Sequence, residues 1–498
     1  MKLGWIAGVA LVAACASSPK PAPAPPVSPA VAAPALPPAK PSLNGIWLGT
    51  LNIGAGKGLR LQVHLDGAKC SLDSLDQRAA GIPCTNVATE AGLSFDVPVI
   101  RGSLKGTVSP DGNTVTATWS QPGHQSPIVL TRQAAAVELP KVAFDPAMDA
   151  VAIDKIQGVL DADLAKLIAT LFAPSTGVGV TIGVVAHGKR EIFTYGSVKA
   201  DSLFEIGSIT KTFTGLVLAQ MVEQKKVKLD DPVRELLPKG TVAQPAGKEI
   251  TLLDLSAQRS GLPRMPDNFH PKDEQNPYAD YDAKALYAWI SSHGVALPDK
   301  LEFGYSNLGV GLLGQALANR AGSSYEALVK KEVLDPLGMH DTAVKLSPAL
   351  TKRFATGHDE NNKPAHAWDL DALAGAGALR STAADMLTFL EAQLHPDRIK
   401  GKSAEAKTLP AAIAASHEVR GEAGPGMHIA LNWLHIDESG TYWHNGGTGG
   451  FRTFALFNPA NDFAVVVLLN GSVEQLADRL ATHVVERLTG KPAESLVQ

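Results

Sequence analysis

Apolar and polar positions change over in short bursts early in the chain and in longer blocks later. Between residues 43 and 133 the bursts carry the period of two that marks half-buried strands: Ile46-Trp47-Leu48, Leu59 to Leu65, Leu93 to Val97, Thr114 to Trp119 and Ile128 to Leu130. Turn signals such as Asp66-Gly67 and Pro110-Asp111-Gly112-Asn113 separate them. The pattern predicts a small antiparallel barrel or sandwich, with Trp47 and Trp119 in its core rather than on a ligand face. Residues 134 to 148 read as a connector. From 149 to 498 the blocks lengthen. A helical stretch, Ile156 to Phe172, leads to strands Gly179 to Ala186 and Glu191 to Tyr195, joined by a His187-Gly188-Lys189 turn. A long, mostly helical middle follows. Strands Phe451 to Phe457 and Phe463 to Leu469 then form a hairpin across Asn458 to Asp462, and an amphipathic helix covers Leu476 to Leu488. This order predicts an α+β body: an antiparallel sheet flanked by helices with a helical subdomain inserted, preceded by the small all-β domain. No internal repeat is visible.

Composition narrows the classes. A chain of 498 residues, 45% hydrophobic and 19% charged, holds more apolar material than a disordered protein and enough length for at least two folded units. With 49 acidic and 45 basic residues it has no basic excess, so no nucleic-acid partner is expected. No apolar run reaches the roughly 18 residues of a membrane span.

The N-terminus reads as an address. Lys2 precedes an apolar run from Leu3 to Ala14, too short to span a bilayer and suited to a signal peptide over 1–14. Val12-Ala13-Ala14-Cys15 resembles the bacterial lipobox, which implies a lipidated Cys15 at the mature N-terminus. Ala16 in the next position implies, by the same resemblance, an outer-membrane lipoprotein facing the periplasm. Residues 15–42 form a linker: from Pro19 to Pro41, 10 of 23 residues are proline, which makes a stiff spacer of up to about 70 Å. The two other cysteines, Cys70 and Cys84, are expected to pair as a disulfide in an oxidising compartment, the alternative being two buried thiols.

The chemistry gathers around Phe204-Glu205-Ile206-Gly207-Ser208-Ile209-Thr210-Lys211, which precedes the apolar stretch Thr212 to Val222. Ser208 then lies at a helix start and Lys211 one turn later on the same face, so the amine reaches the hydroxyl. A helix N-terminus adds free N–H groups and partial positive charge, which favour an alkoxide and the oxyanion formed by its attack. Ser-x-x-Lys alone is weak, because an N-cap serine beside a solvated lysine gives the same pattern. Two further signals strengthen it. Tyr305-Ser306-Asn307 opens a helical segment, and a tyrosine beside a lysine cation is expected to titrate below its ordinary value of about 10 and act as a base. His444-Asn445-Gly446-Gly447 precedes the strand at Phe451, and its glycines permit close backbone approach to a ligand. There is no HExxH or other zinc-ligand spacing and no Gly-x-Ser-x-Gly elbow. No metal and no cofactor are expected.

These three motifs in this order resemble the serine hydrolases grouped with class C β-lactamases, including serine DD-peptidases and family VIII carboxylesterases. Thr251 to Pro263, Pro336-Leu337-Gly338-Met339 through Thr342, and Gly377 to Asp385 resemble further segments of that group, so the likeness covers about 150 to 490. It implies that Ser208 forms an acyl-enzyme and that Lys211 and Tyr305 act as a coupled base. It implies that Asn307 binds the substrate amide or orients Lys211. His444 takes the position of the group's Lys-Thr-Gly lysine, and the backbone N–H groups of Ser208 and Gly447, beside Gly446, form the oxyanion hole.

The departures shape the expected substrate. A permanent cation has become His444, expected to titrate near 6.5, and the hydroxyl after it has become Asn445. The histidine weakens the case for substrate carboxylates, so esters rank first, then cell-wall peptides, then β-lactams. Gln258-Arg259 replace the group's usual His-Thr, with Arg259 expected at the surface. A reading of another class is a catalytically silent, envelope-tethered binding lipoprotein, and a third gives the β domain a docking role.

Overall fold

The computed structural model describes residues 42–52, 58–77, 79–100, 102–121, 124–139 and 143–496. The signal segment, Cys15 and the proline spacer lie outside the described residues. From Leu43 onward the chain forms one unit containing two large sheets.

The first sheet has nine antiparallel strands, all between Gly45 and Gln133. Its order pairs the first strand, Gly45–Asn52, with both the second, Gly58–Asp66, and the last, His124–Gln133. The two ends of the sheet, Ala79–Pro83 and Thr85–Ala88, are neighbours in the chain, so the sheet curls toward a barrel. Trp47 and Trp119 are 0% and 1% exposed and sit inside its core with Phe95 and Val115. Only Cys84 separates the end strands. It is joined by a disulfide to Cys70, with Cα atoms 5.1 Å apart, and its N–H donates to the Cys70 carbonyl. Four strands lie outside the sequence expectation: Lys69–Ser74, Ala79–Pro83, Thr85–Ala88 and Gly102–Val108. Each carries too few apolar residues to show a period.

The second sheet has eight antiparallel strands. From one edge they run Lys189–Gly196, Gly179–Ala186, Phe463–Leu469, Arg452–Asn458, Thr441–Gly447, Leu434–Ile436, Met427–Ile429 and Gly421–Gly424. Its central strands are buried on both faces. Val465, Val467 and Leu469 pack with Leu160 and the C-terminal helix Leu476–Thr489, while Ala464, Val466 and Leu468 pack with the helical middle. Two-sided burial is why Phe463 to Leu469 reads as an unbroken apolar run.

Two expectations are corrected. The helix expected over Ile156 to Phe172 is broken into Ile156–Asp163 and Ala165–Ala169, with Leu164 outside helical geometry between them. The connector, expected to run to 148, is hydrogen-bonded to the C-terminal region from Ala143 onward. Ser495 N–H donates to the Ala143 carbonyl, Asp145 N–H to Ala493, and the buried Arg487 to the Pro146 carbonyl.

Candidate active site

Residues Thr210–Glu223 form the helix behind the Ser-x-x-Lys motif, and every residue from Thr210 to Met221 is buried. Ser208 sits just ahead of it in a short 3-10 turn, Gly207–Ile209. That geometry requires Gly207, whose φ is +52° and where a Cβ would stand 2.7 Å from Gly447 N. The preceding two-residue strand Phe204–Glu205 pairs with Arg380–Ser381. Buried Glu205 accepts from Trp368 N–H and from the Arg380 guanidinium at 3.2 Å, which fixes the turn from below.

Lys211 is fully buried, and its Nζ lies 2.9 Å from Ser208 Oγ and 2.6 Å from the Ala376 carbonyl oxygen. Burial, with the nearby Arg264 charge second, holds the amine well below its ordinary value of 10.5. The orienting contact is therefore the Ala376 carbonyl, not Asn307 as one expectation had it. Ala376 is held by the segment Ala374–Gly377, beside the Gly377 to Asp385 stretch. That stretch is scaffolding: Thr342 Oγ1 donates to Asp385 and hydrogen-bonds Ser381.

Tyr305 lies between two basic side chains. Lys211 Nζ and Arg264 Cζ each stand 5.0 Å from its ring centroid, and the His444 ring is 6.2 Å away. Sequence reasoning expected a phenol shifted below 10. The structure gives the opposite: burial pushes it up to about 12, and the interactions with Ser208 and Arg264 only partly offset that. Asn307 begins the helix Asn307–Ala321, capped by Ser306 Oγ accepting from Gly309 N–H. Its Oδ1 is buried without a hydrogen-bond partner beside the cleft. Gln258 positions this loop: its Oε1 accepts from Ser306 N–H at 2.8 Å and its carbonyl from Gly304 N–H. Arg259, expected at the surface, is instead half-buried, donating to Asp254 and to the Arg420 carbonyl. It does not line the cleft.

His444, Asn445, Gly446 and Gly447 end the strand Thr441–Gly447 and precede the strand Arg452–Asn458, as expected, with which they pair. A Cβ at Gly446 would stand 2.0 Å from the Ile206 carbonyl oxygen, so the strand can pass the nucleophile turn only with glycine there. His444 is 2% exposed with Nδ1 2.6 Å from the Asn445 carbonyl oxygen. Burial, the largest cause, pushes it down to about 3. The expectation of a group titrating near 6.5 is corrected: His444 is neutral across the physiological range. Asn445 turns outward to Asp478 of the C-terminal helix, 3.0 Å away.

Ser208, Tyr305, Asn307, His444, Asn445, Gly446 and Gly447 line one cleft of about 650 Å3, with Met427, Leu434 and Trp443 on one wall and Glu474 and Asp478 on another. Arg264 also lines it and was missed from the sequence. Its one visible signal was a lone cation directly after Gly261-Leu262-Pro263.

A serine at a helix start, a buried amine against its hydroxyl and an open cleft over both, on an antiparallel sheet faced by helices, define a serine hydrolase. A family model described as Beta-lactamase matches residues 164–489, so the chain belongs to the beta-lactamase family. It is similar to a Beta-lactamase of Pseudomonas fluorescens, 25% identical, over 62% of this chain and 92% of the relative. It is also similar to the D-alanyl-D-alanine-carboxypeptidase/endopeptidase AmpH of Escherichia coli K12, 27% identical, over 65% of this chain and 88% of that protein. The solved class C beta lactamase from Rhodobacter sphaeroides aligns over 66% of this chain and 98% of its own, with a TM-score of 0.56 and 25% identity.

Proposed function

We propose that the protein hydrolyses an acyl substrate through an acyl-enzyme on Ser208, with neutral Lys211 as the base. The observation that carries this is the buried Lys211 amine, 2.9 Å from Oγ. A neutral amine has two protons and one lone pair. One N–H donates to the Ala376 carbonyl, which leaves the lone pair for the Ser208 proton. As Oγ attacks the acyl carbon, that proton moves to Nζ and the carbonyl π pair moves to oxygen. The backbone N–H groups of Ser208 and Gly447 receive this oxyanion, and losing one such donor typically costs about 100- to 1,000-fold in rate. Collapse re-forms the carbonyl and expels the leaving group, which takes the proton from Lys211 by way of the Tyr305 hydroxyl. Water repeats the sequence on the acyl-enzyme. Tyr305 is thus a protonated relay rather than a phenolate base, in keeping with its raised value.

Neutral His444 supports esters as the first substrate class, because no charge stands there to pair with a carboxylate. A second reading, an amide substrate bearing a carboxylate such as a cell-wall peptide or a β-lactam, is favoured by Arg264 and by the unpaired Asn307 Oδ1, which accepts an amide N–H. The name of the AmpH relative points the same way. Intact mass after mixing with benzylpenicillin separates the readings, with Ser208→Ala as control. A penicilloyl adduct on the unmodified chain alone supports the second. Intact penicillin together with turnover of short-chain p-nitrophenyl esters supports the first. Neither adduct nor ester turnover overturns the proposal.

A further inference from the structure

Three edge strands of the hydrolase sheet bring together residues that do not line the catalytic cleft. His428 and His435 stand opposite one another in the register of Met427–Ile429 and Leu434–Ile436. Directly paired positions in an antiparallel sheet hold their Cβ atoms about 5 Å apart. Asp437 follows the second strand. Its Oδ1 lies 2.8 Å from His428 Nδ1 and 3.3 Å from His435 Nδ1. All three ligand atoms lie within 4.8 Å of one another.

We propose that His428, His435 and Asp437 bind a zinc ion that ties the edge strands together. Three observations support it. The first is spacing. With Zn–N and Zn–O bonds of about 2.0–2.1 Å, a tetrahedron separates its ligand atoms by about 3.3–3.4 Å. The His435–Asp437 separation of 3.3 Å is already at that value, and the His428–Asp437 hydrogen bond of 2.8 Å need open by only about half an ångström. The second is that His435 Nδ1 is buried and makes no hydrogen bond, although the carboxylate stands beside it. The ring presents its nitrogen to the cluster without aligning a proton on the oxygen, as a ligand would. The third is charge. A second His/Asp cluster exists, Asp145, Asp163 and His483, but there the fully buried Arg487 already donates to Asp163 at 2.7 Å. No lysine or arginine pairs with Asp437 among the described residues. Its side chain is 47% exposed, so an ion has a route in. Glu422 faces His428 in register on the outermost strand and can supply a fourth ligand, with water as the alternative. Two imidazoles with carboxylate oxygen suit zinc among the common divalent ions, whereas calcium and magnesium demand oxygen-rich sites.

The role is structural. Alternation puts the two histidines on one face of these strands and Met427, Ile429 and Leu434 on the other. Ile429 and Leu434 pack with Ala257, and Met427 and Leu434 line the catalytic cleft. An ion clipping the strands from behind fixes that wall.

The test uses the untagged full chain, stripped with EDTA and titrated with zinc chloride against a chromogenic zinc indicator. One equivalent of zinc is expected at micromolar concentration, falling at least tenfold in affinity in His435→Ala and Asp437→Asn. Cobalt(II) in place of zinc is expected to give the intense visible bands of tetrahedral coordination, lost in the same variants. Circular dichroism of the stripped variants checks that they fold; where one does not, His428→Gln replaces it. No binding by the stripped chain at 10 µM zinc, or binding unchanged in the folded variants, overturns the proposal. Because no catalytic step passes through the ion, this outcome is independent of whether Ser208 is the nucleophile.

Discussion

At the scale of single residues, burial decides what the motif residues do. Ser208, Lys211, Tyr305 and His444 were legible in the sequence because their types and order are unusual. Their protonation was not legible, because desolvation depends on what packs around them. Burying Lys211 costs stability as well as enabling chemistry. The unfolded chain carries this amine protonated up to 10.5, while the folded chain holds it well below. Below the unfolded value this depression costs about 1.4 kcal/mol for each unit. Stability contributed by this group rises with pH between the folded and unfolded values. Lys211→Met is accordingly expected to abolish turnover yet raise the melting temperature at pH 7, with the gain shrinking as pH approaches 10.5. A melting temperature lowered at pH 7 would refute the discharged amine. For the active enzyme the same sign predicts kcat/KM rising along an acid limb below 10.5 and then staying level, since Tyr305 and its proton hold to about 12. Ser208→Ala is expected to reduce turnover at least 10,000-fold with little change in melting, and near-normal turnover would remove the nucleophile assignment. Arg264 and the pair His428/His435 escaped sequence reasoning for another reason. Only loop path and strand register bring them to their partners.

At the scale of elements, legibility follows burial. Phe463–Leu469 and Gly179–Ala186 are apolar on both faces and stand out. Gly421–Gly424, Met427–Ile429 and Leu434–Ile436 have three or four residues each and mix polar with apolar positions, so no period can emerge. The strand Thr441–Gly447 was half visible, through its glycines. Its meeting with the Ser208 turn is the tightest element contact at the site. Thr453 Oγ1 and Gly446 both crowd the Ile206 carbonyl, the former donating to it at 2.9 Å. Gly446→Ala would force these elements apart. It is expected to destabilise by about 1–3 kcal/mol, read from thermal melts, and to lower kcat more than it raises KM, because the displaced backbone carries the Gly447 N–H. A variant with wild-type melting and kcat would show that the strand does not meet the turn this closely.

At the scale of the whole chain, the question is which parts turnover needs. The barrel-like sheet has its own core, with Trp47, Phe95 and Leu130 fully or nearly buried among its own strands, and its own disulfide. None of its described residues lines the catalytic cleft. The family match begins after it, at residue 164. The described connector is tied to the C-terminal helix region from Ala143 onward, through Asp145, Pro146 and Val151. A chain cut at 149, where the sequence alone divides it, would lose the bonds of Ala143, Asp145 and Pro146, and with Pro146 one of the hydrogen-bond partners of the buried Arg487. We therefore expect a chain beginning at Ala143 to keep kcat/KM within about threefold of the full length. One beginning at Asp149 should melt several degrees lower. Loss of turnover from the longer chain, with its fold intact by circular dichroism, would assign the barrel a part in shaping the cleft. Retained turnover leaves the barrel and the proline spacer to positioning: we propose that a lipidated Cys15 holds the hydrolase at the membrane while the spacer, up to about 70 Å long, sets its reach. In bacterial cells, Cys15→Ser is then expected to move activity from the membrane to the soluble fraction without changing kcat, and activity still sedimenting with membranes would exclude the anchor.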